Sequence, residues 1–244
     1  MSKGRTRALL VTALMLTAGI ATTAHAVDGV LEINETCATL SGCFSGDAAG
    51  YPITIDGSAG RSYRLTSDLI VPDENTDGIY INTPGVSIDL NGFAIVRSGC
   101  EATFGDCTPA SGTGVGVNVG GPSRAGLTIR NGSITGMGDT GVVAGNTSTV
   151  TALRVRWCRS LGIVAYDGSI IRGNTVEGSD IAIAAIGPSQ AVGNVVTGFN
   201  LQGLNTGIGS GYGNNLAYSP TGTTIFGSGV DMGGNVCNGS ATCP

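Results

Sequence analysis

The chain has 244 residues, with 12 lysines and arginines against 17 aspartates and glutamates for a formal net charge of −5, and only 5% of it is aromatic. An acidic balance of this kind repels nucleic acid and anionic lipid surfaces, so neither is an expected partner. The only lysine, Lys3, and the only histidine, His25, lie in the first 26 residues, which denies the rest of the chain the commonest general base and metal ligand.

Residues 1–26 carry Lys3, Arg5 and Arg7, then an apolar run over 8–20, then Ala24-His25-Ala26. That order is the pattern of a secretory signal peptide cleaved near Ala26. The apolar run is too short to cross a bilayer, and no later stretch reaches the roughly 20 apolar residues of a membrane-spanning helix. The expectation is an exported protein, secreted or periplasmic, without membrane insertion. Without this leader nine arginines face seventeen carboxylates, a formal charge of −8. Any chemistry then rests on Asp, Glu, Arg, Tyr or an oxygen-ligated cation.

Residues 27–62 show no repeat and are expected to form an N-terminal cap. The strands start at Tyr63, and in the stretch 86–90 Val86, Ile88 and Leu90 alternate with polar residues, as on one face of a strand. Asn91-Gly92 supplies a turn. Further on, an apolar pattern returns every 20 or 21 residues: Ile134, Val155, Val176 and Val196 form one column, and Val142, Ile163 and Ile183 another. Two columns in one register, built from β-branched residues with abundant glycine, indicate a solenoid of short strands. The interval from Ile95 to Ile134 exceeds one coil by about 18 residues, which predicts a loop thrown out near 96–112. One domain of about six coils over 63–215 is expected, with a second cap over 216–244. Asn174 and Asn194 stand 20 apart and are placed to stack and satisfy buried turn amides.

Seven cysteines in an exported chain predict disulfides, and six fall into close pairs: Cys37 with Cys43, Cys100 with Cys107, and Cys237 with Cys243. Zinc is disfavoured by the spacings and the lack of histidine. Cys158 is left over and reads as a small apolar residue packed beside Trp157.

VSIDLNGFAI at 86–95, LTIRNGSI at 127–134, and the coils closing with GNTV at 173–176 and GNVV at 193–196 resemble secreted bacterial right-handed parallel β-helix proteins of the pectate-lyase-like superfamily. The resemblance implies an all-β, right-handed parallel β-helix. It does not imply one activity, because that superfamily holds lyases, glycosidases, epimerases, esterases and adhesins.

Three groups of residues are candidates for chemistry. Asn75-Thr76-Asp77-Gly78 looks like the first acidic motif of polygalacturonases, with Asp77 as its carboxylate and Asp139 in a fainter second motif. The Asp-Asp, Gly-His-Gly and Arg-Ile-Lys elements of that family are missing, so a polar turn is the preferred reading. Arg130, Arg154, Arg156, Arg159 and Arg172 form the second group. Pectate lyases resemble it in using an arginine, with calcium neutralising the uronate, and calcium enters only under that alternative. Asp73, Glu74 and Asp77 are the nearest approach to a carboxylate cluster and match no recognised calcium loop. Arg154 and Arg156 flank Val155 and should project outward together, able to meet an anionic sugar. Register also sets Arg156 above Glu177 and Arg159 above Asp180, and this ladder of ion pairs is the preferred reading. The third group is Tyr166 beside Asp167, with Tyr212 and Tyr218, as sugar-stacking positions.

The expectation is a secreted binding or scaffolding β-helix directed at polysaccharide, with no resident metal or cofactor. The alternative is a lyase, hydrolase or epimerase acting on uronate polymers through Asp77, Asp139 or Arg154, with Arg156, Tyr166 and Asp167 as binding residues.

Overall fold

The computed structural model describes residues 29–58, 61–101, 107, 111–241 and 243. The expected leader, residues 102–106 and 108–110 of the loop near 96–112, and residue 244 lie outside them. The chain winds as a parallel β-helix of about eight turns, and each complete turn visits three faces in the same order.

The first face runs Leu31–Ile33, Ser62–Leu65, Ser87–Asp89, Thr128–Thr135, Thr149–Arg156, Ile170–Arg172, Gln190–Val192, Gly211–Gly213 and Val230–Asp231. The second face holds Leu69–Val71 and Ala94–Arg97, the later halves of Thr128–Thr135 and Thr149–Arg156, then Thr175–Glu177, Val195–Thr197, Leu216–Tyr218 and Val236–Cys237. The third face is an eight-stranded sheet from Ile53–Ile55 to Thr223–Gly227. All named strand pairs are parallel, so every turn presses the same side chains against those of the turn before.

Each face contributes an inward column to the core. On the second face Leu69, Ile95, Ile134, Val155, Val176, Val196, Ala217 and Cys237 stand in register. On the third, Ile53, Ile79, Val117, Val142, Ile163, Ile183, Leu204 and Ile225 do the same. The first face adds Tyr63, Ile88, Ile129, Val150, Ile171, Ala191 and Tyr212. These side chains are buried, and each methylene removed from water contributes about 0.8 kcal/mol. The count exceeds the expected six because the segments expected to cap the solenoid also supply strands. Leu31–Ile33 and Ile53–Ile55 build a turn before residue 63, and Thr223–Gly227, Val230–Asp231 and Val236–Cys237 continue past 215.

The corner between the first and second faces is tight. Asn131, Ala152, Gly173, Gly193, Asn214 and Gly234 occupy it in successive turns, all with positive φ. Immediately after it a buried asparagine ladder begins. The side-chain Oδ1 of Asn194 accepts from Asn174 N at 3.0 Å and Asn174 Nδ2 at 3.1 Å, while Asn194 Nδ2 donates to Ile171 O at 3.0 Å. Asn215 and Asn235 repeat the arrangement. The ladder is thus two rungs longer than the pair expected, and it closes upward where Leu153 N donates to Asn174 Oδ1. Ser148, Ser169, Ser189 and Ser210 line the corner between the third and first faces, with Ser148 N donating to Ser169 Oγ at 3.0 Å.

The three expected disulfides are present: Cys37–Cys43, Cys100–Cys107 and Cys237–Cys243. The first lies in and just after the helix Glu35–Leu40, which is capped by Asn34. Among the described residues no helix is long and apolar enough to cross a membrane.

Candidate functional site

Outward residues of the second face form the floor of a groove of about 420 Å³. Ala94 and Val96 lead in register to Ser133 and Thr135, and these lead to Arg154 and Arg156. One side of the groove is closed by Cys100, Glu101 and Trp157, the other by Asp68, Gly92 and Asn131. A cavity of this size, part apolar and part polar, is in the range that holds a small ligand or a stretch of a larger one.

Trp157 owes its position to the second corner of the solenoid. It has φ 50° in a column where the turn before has Gly136 and the next two turns have Gly178 and Gly198. A bulky residue in the left-handed region is uncommon and needs contacts to hold it. Here the indole lies over Gly178, where a Cβ would collide with it. It also packs with Val96 and with the Cys100–Cys107 bridge, and that bridge rests on Gly136. The Arg156 guanidinium carbon stands 6.0 Å from the ring centroid, within range of a cation–π contact.

Arg154 and Arg156 point outward on either side of the buried Val155, as expected. Arg156 Nε lies 3.6 Å from Glu177 Oε2, one turn later, an ion pair too long for a hydrogen bond. Arg154 is exposed, and among the described residues its side chain has neither an ion pair nor a hydrogen bond. The groove therefore presents an uncommitted cation beside an aromatic wall. Both of its carboxylates are occupied by backbone amides. Asp68 Oδ1 accepts from Ala94 N at 2.7 Å, and Glu101 Oε2 accepts from Gly99 N at 2.8 Å.

The other sequence candidates scatter over the solenoid. Asp77 fastens the third face: Oδ1 accepts from Val115 N at 2.7 Å and Oδ2 from Asn118 Nδ2 at 2.9 Å. It lines only a shallow depression with Tyr51, Asn75 and Thr76. Asp139 sits at the turn entering the third face, where Thr140 Oγ1 donates to it at 3.3 Å. Tyr166 and Asp167 lie at the opposite corner, the Tyr166 carbonyl accepting from Ser169 N and Ser189 Oγ. Asp139, Arg154 and Asp167 therefore do not converge on one cleft. The Arg159–Asp180 pair does not form among the described residues. Although Asp180 N donates to Arg159 O, the Asp180 carboxylate turns to the following coil, where Oδ1 accepts from Asn200 Nδ2 at 3.0 Å. Tyr212 is a further correction: it faces the core, whereas Tyr218 is exposed on the second face.

The five arginines are also distributed. Arg130 pairs with Asp89 on the first face, Nε to Oδ2 at 3.0 Å, and Arg172 lies further along that face. Asp73 Oδ1 accepts from Asn75 N and Thr76 Oγ1, and Asn75 N–H first, then Thr76, hold its carboxyl below the ordinary value. Among the described residues no group of three Cys, Asp or Glu gathers as a metal ion needs. Cys158 is buried, and that burial pushes its thiol up to about 12, so it stays protonated and unreactive in the folded chain.

No family model, no curated protein and no solved structure matches the chain. The groove walls escaped sequence reasoning because Asp68, Glu101 and Trp157 come from separate turns, and the inserted loop breaks the spacing that would align them. The outward pair Arg154 and Arg156 was the available signal.

Proposed function

We propose that this protein is an exported, non-catalytic binding module that holds an acidic polysaccharide in the groove of its second face. The observation that carries the reading is Arg154, exposed and uncommitted on the floor of the groove that Trp157 helps to close. An arginine fork meets a carboxylate bidentately, and an indole edge offers a sugar ring an apolar surface. The local arginines act against a chain that is acidic overall, so the site selects a short acidic segment rather than attracting polyanions at large. Three disulfides suit an oxidising compartment.

Glycoside cleavage by the common route needs two carboxyl groups flanking one bond. The groove offers Asp68 and Glu101 on opposite walls, each with an oxygen held by a backbone amide, which favours binding over turnover. The test is titration of the purified protein with uronate-containing and neutral polysaccharides, with and without calcium, while unsaturated and reducing ends are followed. Binding of the uronate polymers that is lost in Arg154→Gln supports the reading. New chain ends that vanish in the same variant would make the protein an enzyme and overturn it.

A further inference from the structure

The groove is the upper end of a longer track. Below Arg154 the outward positions of the second face are Thr175, Val195 and Leu216, and below Arg156 they are Glu177, Thr197 and Tyr218. The middle four are half-buried and low, whereas Leu216 and Tyr218 stand out at 41% and 54% exposure. Among the described residues the Tyr218 side chain has no hydrogen bond. An aromatic ring thus stands bare on the same face as the groove, separated from it by a smooth interval.

The rims of that interval are low as well. Gly173 and Gly193 flank it on one side with open space where a Cβ would stand; on the other, Gly178 lies under the Trp157 indole and is followed by Gly198. Positive φ alone does not demand glycine there. In the same two corner columns Asn131, Ala152, Asn214 and Trp157 adopt positive φ with side chains attached. Corner side chains therefore rise beside the sheet at the groove and next to Tyr218, and between them the corners carry glycine.

We infer that the second face carries a second sugar subsite at Leu216 and Tyr218, so that a linear acidic polysaccharide lies parallel to the solenoid axis from Trp157 to Tyr218. The inference rests on the groove binding such a chain. Arg154 takes a carboxylate at the upper end, and the Arg156–Glu177 pair leaves the next step nearly neutral. Thr175 and Thr197 offer hydroxyls to a ring passing over them, and Tyr218 stacks on the lower end. From the strand of Arg156 to that of Tyr218 there are three strand spacings, about 14 Å. A disaccharide held at Arg154 does not reach that far, and a longer oligomer does.

The experiment is calorimetric titration of the protein with galacturonate oligomers of increasing length, using wild type, Tyr218→Ala and Arg154→Gln, with folding of each variant checked by circular dichroism. Wild-type affinity should climb with length and then level off. Tyr218→Ala should match wild type on the dimer and lose about three- to tenfold on the long oligomers, the scale of one aromatic contact. Arg154→Gln should weaken every length. A Tyr218→Ala curve that overlies wild type at all lengths overturns the second subsite and leaves the groove reading standing. Absence of binding at any length in wild type overturns both.

Discussion

Below Asn174 the solenoid repeats one solution, and above Leu153 it improvises. In the lower turns the same buried asparagine recurs at 174, 194, 215 and 235; each accepts from the turn before, and the first three also donate to a backbone carbonyl of that turn, whereas Asn235 donates to Asp231 Oδ1. In the upper turns the corresponding work is done by contacts that occur once: Asp68 to Ala94 N, Asp77 to Val115 N, the Arg130–Asp89 pair, and the Cys100–Cys107 bridge laid on Gly136. The groove lies in the improvised half. A repeating ladder makes a smooth wall, because identical turns present identical outer surfaces. A cavity needs turns that differ, and each departure brings its own fastening.

The sharpest way to break this comparison is to cut the ladder. Asn194→Leu removes the acceptor of Asn174 N and the donor to Ile171 O, both buried. Leaving two such groups unsatisfied should cost roughly 2–5 kcal/mol, read as a lowered urea midpoint. A cost below about 1 kcal/mol would mean that apolar packing, not the ladder, holds the lower turns.

Next in size is the upper half's own staple. Cys100→Ala with Cys107→Ala opens a short loop, and loop-closure entropy sets the loss at about 2–3 kcal/mol. Because the bridge packs on Trp157 and Val96, uronate binding should weaken in the same variant. Cys237→Ala with Cys243→Ala should lower stability and leave groove binding unchanged.

Acid tests a single improvised contact. Burial pushes the Asp89 carboxyl up, but Asn91 N–H, Arg130 and Asn131 outweigh it and hold the group below the ordinary carboxylate value. A depressed carboxyl stabilises the fold above its ordinary range and loses that contribution as pH falls through the lowered value. Denaturant curves of Asp89→Asn and wild type should therefore differ at neutral pH and draw together below about pH 4. A gap that persists into acid would assign the role of Asp89 to shape rather than charge.

The smallest effect belongs to Glu177→Ala. Its partner stands 3.6 Å away and its own side chain is 43% exposed, so the loss should be about 0–1 kcal/mol and shrink with added salt.

The difference between the halves also governed what the sequence revealed. The columns through Val155 and through Ile163 were legible because β-branched residues recur at one spacing. The first-face column was not, since it mixes Tyr63, Ile129, Ala191 and Tyr212, and no residue class marks it. Asn215 and Asn235 lay where the apolar pattern fades, although the ladder continued through them. Of the site, the outward pair Arg154 and Arg156 followed from alternation about Val155. Trp157 did not, because its direction depends on a left-handed backbone that only the neighbouring turns impose.

The asparagine ladder makes turns interchangeable parts. Asn174 and Asn194 occupy equivalent places, each receiving an amide from above and reaching a carbonyl beyond it. Excision of 174–193 would bring Leu153 N to Asn194 Oδ1 and Val155 to Val196, the same partners one rung down. Duplication of that segment would extend the series by the same rule. The number of turns is thus a free variable of this architecture below Leu153, and the distance from groove to lower rim can be lengthened or shortened in whole steps without redesign of either end.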